Sequence, residues 1–445
     1  MTEAPEVRFT KLGEDRIAYQ VLGEGPPDLL EFSSPGGAIE ALWEYPPCAA
    51  FYRRLASFSR LIVFDRRGTG ASDEVSLEAL PKWEEWADDA LTVLDAVGSK
   101  RAVILGEMNS GPAATLFAAT RPERTQALIL FGTAARFLRA PDYPWGMTQE
   151  GLDDVASMVE EHWGTERLGA LGAPSQGDNS AYLRWQAKTA RMGCSARAMG
   201  TFMRHEQKVD VREVLTSIQV PTLVLHREDA PFIVADQGRH LAEHIPGARF
   251  VSIPGADMVM MLKPNAQTLD EIEAFVSESG PGQRTDRTLA AVLFTDIVGS
   301  TERAATLGDR RWRSLMESHD AIAHTLIDQH GGRLVRLTGD GVLATFDGPG
   351  RAIKCAFAVR DALDPLGLTI RAGLHTGEVE LLGDEIGGIG VHVAARVLER
   401  AGPAELVVSA AVPMLVAGSG IEFEDRGEHE LKGIPGTWRL YAVEG

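Results

Sequence analysis

Cysteine is nearly absent: Cys48, Cys194 and Cys355 are the only three in 445 residues. They lie far apart and form no CxxC pair, which excludes a disulfide framework and gives no sign of a zinc site. A reducing cytoplasm is the compartment that such usage implies. Positive charge is also scarce. Lys plus Arg number 44 against 63 Asp plus Glu, for a formal net charge of −19. Binders of nucleic acid or of anionic membranes need a net basic surface, so neither partner is expected. A local basic site for a nucleotide stays open. Long apolar runs are missing too. The longest uncharged stretch, Leu406 to Ile421, contains Pro413 and falls short of the roughly 20 residues of a membrane span. The opening Met1-Thr-Glu-Ala-Pro-Glu6 has neither the basic nor the apolar region of a secretory signal.

What is present is ordinary for a globular chain: 44% hydrophobic and 24% charged residues, which rules out wholesale disorder. At about 100–200 residues per domain, the length predicts two or three domains. A polar run holding Gly and Pro, Ser277 to Arg287, reads as a linker. The expected division is therefore 1–277, a linker at 278–287, and 288–445. No internal repeat is evident.

In the first part, short apolar runs alternate with helical patterns. Asp28–Phe32, Leu61–Asp65, Ala102–Gly106, Ala127–Gly132, Thr222–His226 and Arg249–Ile253 read as strands, and Thr268–Val276 as a terminal helix. Such alternation predicts an α/β parallel sheet covered on both faces. A polar helical stretch over about 135–217 breaks the rhythm and reads as a cap over the C-terminal sheet edge, where such folds bind ligands. The second part reads as α+β. Strand 290–296, helix 310–329, hairpin 333–346, helix 350–362, strands 369–374 and 378–382, and helix 388–399 follow one another, then further strands.

Several phrases of the first part, over roughly residues 5–277, resemble the α/β-hydrolase superfamily. They are Phe64-Asp-Arg-Arg-Gly-Thr-Gly-Ala-Ser-Asp73, Leu105-Gly-Glu-Met-Asn-Ser-Gly111 with the helix after it, Pro221-Thr-Leu-Val-Leu225 and Ile253-Pro-Gly-Ala-Asp257. The family's nucleophile elbow reads Gly-x-Ser-x-Gly. Here the register is Gly106-Glu107-Met108-Asn109-Ser110, with a thioether at the nucleophile position. The histidine position holds Met258, and Asp229 matches the acid. A triad needs nucleophile and base together, so ester hydrolysis is not expected. Two readings remain: a bare scaffold, or a sensing module whose capped pocket the methionines make apolar and adaptable for a small apolar ligand.

The second part resembles the catalytic domains of class III nucleotide cyclases, through four motifs in family order. Val292-Leu-Phe-Thr-Asp-Ile-Val-Gly-Ser-Thr301 ends a strand in Asp296. Leu337-Thr-Gly-Asp-Gly-Val342 carries Asp340 in a turn. Gly387-Gly-Ile-Gly-Val-His-Val-Ala-Ala-Arg-Val397 carries Arg396, and Glu430-Leu-Lys-Gly-Ile-Pro435 carries Lys432. The resemblance implies a ferredoxin-like α+β fold. It implies two Mg2+ or Mn2+ ions held by Asp296, Asp340 and the Ile297 carbonyl, hard oxygen donors suited to such cations. It assigns transition-state phosphate to Arg396 and triphosphate to Lys432. The base- and ribose-recognition positions depart from the best-known pattern and hold Arg336, Glu385 and His392. Charge signs at the first two favour ATP, giving cyclic AMP and pyrophosphate. Because the family draws its metal carboxylates and its Arg/Lys set from opposite subunits, a homodimer follows. The two-part arrangement resembles a group of mycobacterial cyclases. Alternatives are a cyclase-fold nucleotide binder with weak or altered (GTP) turnover, and a hydrolase using Ser110.

Overall fold

A run such as Ala102-Val-Ile-Leu-Gly106 is apolar at every position, so both its faces need cover, as a parallel strand in mid-sheet receives. In a computed structural model of the chain, which describes residues 4–32, 34–263, 265–279, 287–382 and 385–444, that run is wholly buried. The chain divides into two compact units, Met1–Thr285 and Asp286–Gly445. Most of the expected linker 278–287 lies outside the described residues. Among those residues no helix is long and apolar enough to cross a membrane.

The first unit runs β1 (Arg8–Leu12), β2 (Asp15–Leu22), β3 (Asp28–Phe32), α1 (Pro46–Leu55), β4 (Arg60–Asp65), α2 (Trp83–Ala96), β5 (Ala102–Glu107), α3 (Gly111–Thr120) and β6 (Thr125–Phe131). Then come α4 (Gln149–His162), α5 (Ser180–Gly193), α6 (Ala196–Glu206), β7 (Thr222–Arg227), α7 (Ala235–His244), β8 (Arg249–Ile253) and α8 (Asn265–Glu278). The strand order is β1-β2-β4-β3-β5-β6-β7-β8. From β4 to β8 all pairings are parallel, as expected. The expected all-parallel sheet is corrected at one edge, where the β1–β2 hairpin adds two antiparallel strands. Helices α4, α5 and α6 fall within the stretch read as a cap. Thr148, Asn179 and Ser195 start them, each side chain accepting a backbone N–H at 3.2 Å.

The second unit runs β9 (Arg287–Ile297), α9 (Ser300–Leu307), α10 (Asp309–Gln329), β10 (Arg333–Leu337), β11 (Val342–Phe346), α11 (Pro349–Leu363), β12 (Ile370–Leu382), β13 (Glu385–Gly387) and α12 (Ile389–Leu398). It ends with β14 (Leu406–Ser409), α13 (Ala411–Leu415), β15 (Phe423–Glu430) and β16 (Thr437–Val443). The order is β10-β11-β9-β12-β14-β16-β15, with β13 pairing β12, and among the described residues only β12–β14 is parallel. The two strands expected at 369–374 and 378–382 are one strand, β12. Thr376 and Gly377 keep their pairing with Ala291 and Ala290. Gly377 is no break: a Cβ there would collide with the His375 ring, so the glycine makes room for a buried imidazole.

His375 accordingly titrates low. Burial pushes its pKa down to about 4, and Nδ1 lies 2.7 Å from Ser409 Oγ. The unfolded chain takes up that proton near pH 6.5 whereas the folded chain resists it, so this stability is present above the unfolded pKa and is lost as pH falls. Going from about pH 7 to about pH 5 should cost the second unit about 2 kcal/mol through this residue. Urea unfolding at both pH values, followed by Trp438 (5.7 Å from the His375 ring), should show a smaller loss in His375→Gln. Equal losses in both proteins would assign the effect elsewhere.

Candidate functional site

Two places bring predicted site residues together. The first lies at the C-terminal edge of the parallel sheet. Here β5 turns into α3 at Met108, which has a positive φ of 46°, a conformation that costs a non-glycine residue energy. The turn is pinned by Thr133 Oγ1, which donates to the Met108 carbonyl at 2.6 Å. The strained elbow geometry is thus kept around a side chain with no nucleophile. Ser110 does not replace it, because it is buried and its hydroxyl donates to the Glu107 carbonyl at 2.8 Å while accepting the Glu107 N–H at 3.0 Å.

Met108 and Met258 both line a cavity of about 360 Å³. Asp229 lies elsewhere, exposed beyond β7, with its N–H on the Gly255 carbonyl. Seven of the chain's twelve methionines line this cavity. Two lining residues went unnoticed in the sequence. Glu31 on β3 is buried, and its Oε1 accepts the Tyr52 hydroxyl at 2.9 Å. Burial first, and the neighbouring Glu107 second, push its pKa up to about 8. Glu107, at the end of β5, is pushed up to about 7 by burial, against a backbone N–H from Met260. The available signal was one acid inside an apolar central strand and another directly before the nucleophile position.

The second place is built at the end of β9. The β10–β11 turn folds onto it, with the Ile297 N–H donating to the Asp340 carbonyl at 3.0 Å and the Val342 N–H to Thr295 Oγ1 at 3.2 Å. Gly341 permits this approach, since a Cβ there would fall well inside contact distance of the Thr295 carbonyl oxygen. Asp296 and Asp340 therefore belong to one strand-end cluster. Ser300 Oγ donates to Asp340 Oδ2 at 2.5 Å. A residue not anticipated, Arg371, stands across from Asp296 in the β9–β12 register and donates Nη2 to its Oδ2 at 2.6 Å. Among the described residues, no three carboxylate, imidazole or thiolate groups gather as a metal cluster.

Arg396 and Lys432 meet separately. Arg396 Nε donates to the Lys432 carbonyl at 3.0 Å, and its Nη1 pairs with Glu399. Arg336 and Glu385 approach to 3.8 Å, both about half exposed. His392 is exposed on α12, one turn before Arg396. Among the described residues, no ion pair or side-chain hydrogen bond links the Asp296/Asp340 cluster to Arg396 or Lys432.

Residues 49–256 match the family Hydrolase_4, described as serine aminopeptidase, S33. An esterase from Exiguobacterium antarcticum shares the fold with a TM-score of 0.53 at 20% identity, covering 60% of this chain and 98% of the esterase. "Putative adenylate cyclase 3" of Rhizobium meliloti is 32% identical over 164 residues, 33% of this chain. The chain joins an α/β-hydrolase-like domain to a segment similar in sequence to a putative adenylate cyclase. It spans 27% of that cyclase's length. A 3-oxoadipate enol-lactonase of Acinetobacter baylyi is 24% identical over 269 residues, 59% of this chain and 94% of the lactonase.

Two outcomes follow from this geometry. In the hydrolase-like domain, Met108→Ser alone should leave p-nitrophenyl ester hydrolysis at background, because among the described residues no imidazole lines the cavity to take the proton. A rise of about 100-fold would reveal another base. In the cyclase-like segment, Gly341→Ala should cost about 1–3 kcal/mol of that unit's stability. It should also speed hydrogen exchange at the Ile297 amide. Unchanged exchange would mean that the turn does not depend on the close approach.

Proposed function

We propose that the chain is an adenylate cyclase, converting ATP to 3′,5′-cyclic AMP and pyrophosphate, with the hydrolase domain as a regulatory, ligand-sensing module. The observation that carries this reading is the Ile297–Asp340 backbone bond, which sets two carboxylates at one strand end. Their chemistry fits divalent cations: Asp296 and Asp340 are hard oxygen donors, and the Ile297 carbonyl is a third. These residues would hold two Mg2+ or Mn2+ ions. When bound, such ions favour ionisation of the ribose 3′-hydroxyl and offset phosphate charge.

The remaining work falls to the chain's own side chains. Arg371 occupies Asp296 Oδ2 and orients that carboxylate, and Ser300 does the same for Asp340. The Arg396 guanidinium is anchored through Nε and Nη1, leaving its outer edge for phosphate oxygens. Lys432 follows as a second phosphate contact, and His392 sits one helical turn away for the ribose. Arg336 and Glu385 supply a donor and an acceptor for the base. As the resemblance to class III cyclases implies, a two-fold homodimer would bring one chain's Asp pair to the partner's Arg396; among the described residues no side-chain bond joins the two clusters within one chain.

A second reading draws on the Arg336–Glu385 pair, whose charges partly satisfy each other at 3.8 Å. Weakened base recognition would give a nucleotide-binding module with slow or altered (GTP) turnover. The deciding assay measures cyclic nucleotide from ATP and GTP, each with Mn2+ and with Mg2+. Cyclic AMP from ATP is expected, lost in Asp296→Ala and in Arg396→Ala. Mixing those two inactive proteins should restore about a quarter of the activity, through heterodimers with one intact site. No cyclic product from either nucleotide would overturn the cyclase reading, and no complementation would overturn the shared site.

A further inference from the structure

The hydrolase-domain cavity has charge of only one sign. Among the described residues that line it are three carboxyl groups, Glu31, Asp65 and Glu107, and no Lys, Arg or His. Asp65 is spent on structure, since its two oxygens accept the Ile39 and Ala71 N–H groups at 3.0 and 2.9 Å. Glu31 is not spent. It is 6% exposed and lines the cavity, yet its Oε2 has no hydrogen-bond partner. A buried polar atom left unpaired is costly unless a partner arrives. The other walls are apolar and soft, with the methionines joined by aromatic rings that include Trp163 and Trp185.

We propose that this cavity binds a lipophilic amine, an apolar body carrying one ammonium group that docks at Glu31 and Glu107. The volume of about 360 Å³ lies in the range of small-molecule sites, about 300–1,000 Å³. An ammonium supplies the missing donor to Glu31 and offsets the repulsion between the two carboxylates. Aromatic faces add cation–π attraction. Carboxylate ligands are repelled by the same pair once it ionises, and neutral alcohols gain only one ordinary hydrogen bond. This inference deepens the sensing role assigned to the hydrolase domain.

Binding should depend on pH with a definite sign. In the free protein both carboxyls hold protons to unusually high pH. An ammonium displaces those protons, so affinity rises between about pH 6 and about pH 8, below the amine's own pKa. The titratable groups facing the pair are Cys48 and Tyr52 on α1, Asp65 on β4 and Tyr182 on α5. Burial drives Cys48, Tyr52 and Tyr182 upward, so these three stay neutral across that window. Asp65, raised to about 7 by burial, titrates within the window but keeps its two backbone partners.

The test uses the full chain with n-butylamine, n-octylamine and n-dodecylamine, against n-octanol and octanoate. Tryptophan fluorescence and calorimetry in two buffers of different ionisation enthalpy read affinity and proton release. Octylamine should bind about tenfold more tightly than octanol at neutral pH, with proton release, and octanoate least. Glu31→Gln/Glu107→Gln should bring amine and alcohol to equal affinity. No amine binding, octanol or octanoate matching octylamine, or an amine preference that survives the double substitution would each overturn the proposal. Amine binding without cyclic AMP formation would leave this inference standing and sink the cyclase reading; the reverse result would do the opposite.

Discussion

The hydrolase domain depends on a buried ion pair. Arg66, just after β4, reaches Glu206 at the end of α6 with 2.5 Å between Nη2 and Oε1, and both side chains are at least 95% buried. Charges taken from water must be paired and hydrogen-bonded, and Glu206 meets the demand with a second bond from Asn109 Nδ2 at 2.9 Å. The guanidinium lies 4.1 Å from the Trp86 ring centroid. One carboxylate therefore ties the cap helix to the sheet edge and to the elbow at once. Removing Arg66 or Glu206 would leave a buried charge uncompensated, so the cap helix, the sheet edge and the elbow are tied together.

In the cyclase-like segment the constraint is a backbone one. The Gly341 turn lies against Thr295 so closely that no side chain fits, and the Ile297–Asp340 bond then fixes the register of two acidic residues that are 44 positions apart in sequence. The Arg371–Asp296 pair follows from a second register, β9 against β12. Carboxylate geometry at this strand end is therefore set by three strands, with side chains only trimming it.

That difference between local and non-local causes explains what the sequence made legible. Ala102–Gly106 is readable as a buried strand because every residue carries the signal. Asp296 and Asp340 are readable because each sits in its own short motif. Glu31 is not, since a single acid in Asp-Leu-Leu-Glu-Phe tells nothing of the Glu107 facing it from the neighbouring strand. Arg371 gains its partner only through pairing across β9 and β12. Gly377 misleads for the same reason: its role is set by the His375 ring two residues away, and a lone glycine looks like a strand end. The β1–β2 hairpin is hard to read because edge strand β1 has mixed polarity and β2 opens on polar residues.

The elbow carries a cost of its own. A positive φ at Met108 costs about 1–2 kcal/mol for a residue with a Cβ. In an esterase that cost places a nucleophile, and here no hydroxyl benefits. Yet the turn persists, pinned by Thr133, and it presents a thioether to the cavity. Met258 does the same at the histidine position. The two replacements share one physical effect: a hydroxyl and an imidazole are absent from those two positions, while the carboxyls of Glu31 and Glu107 stand in the cavity wall. Losing a triad by neglect would leave the cavity polarity arbitrary. What stands instead is an apolar, methionine-rich chamber in which Asp65 is held by backbone N–H groups and Glu31 and Glu107 are the acids left facing the space.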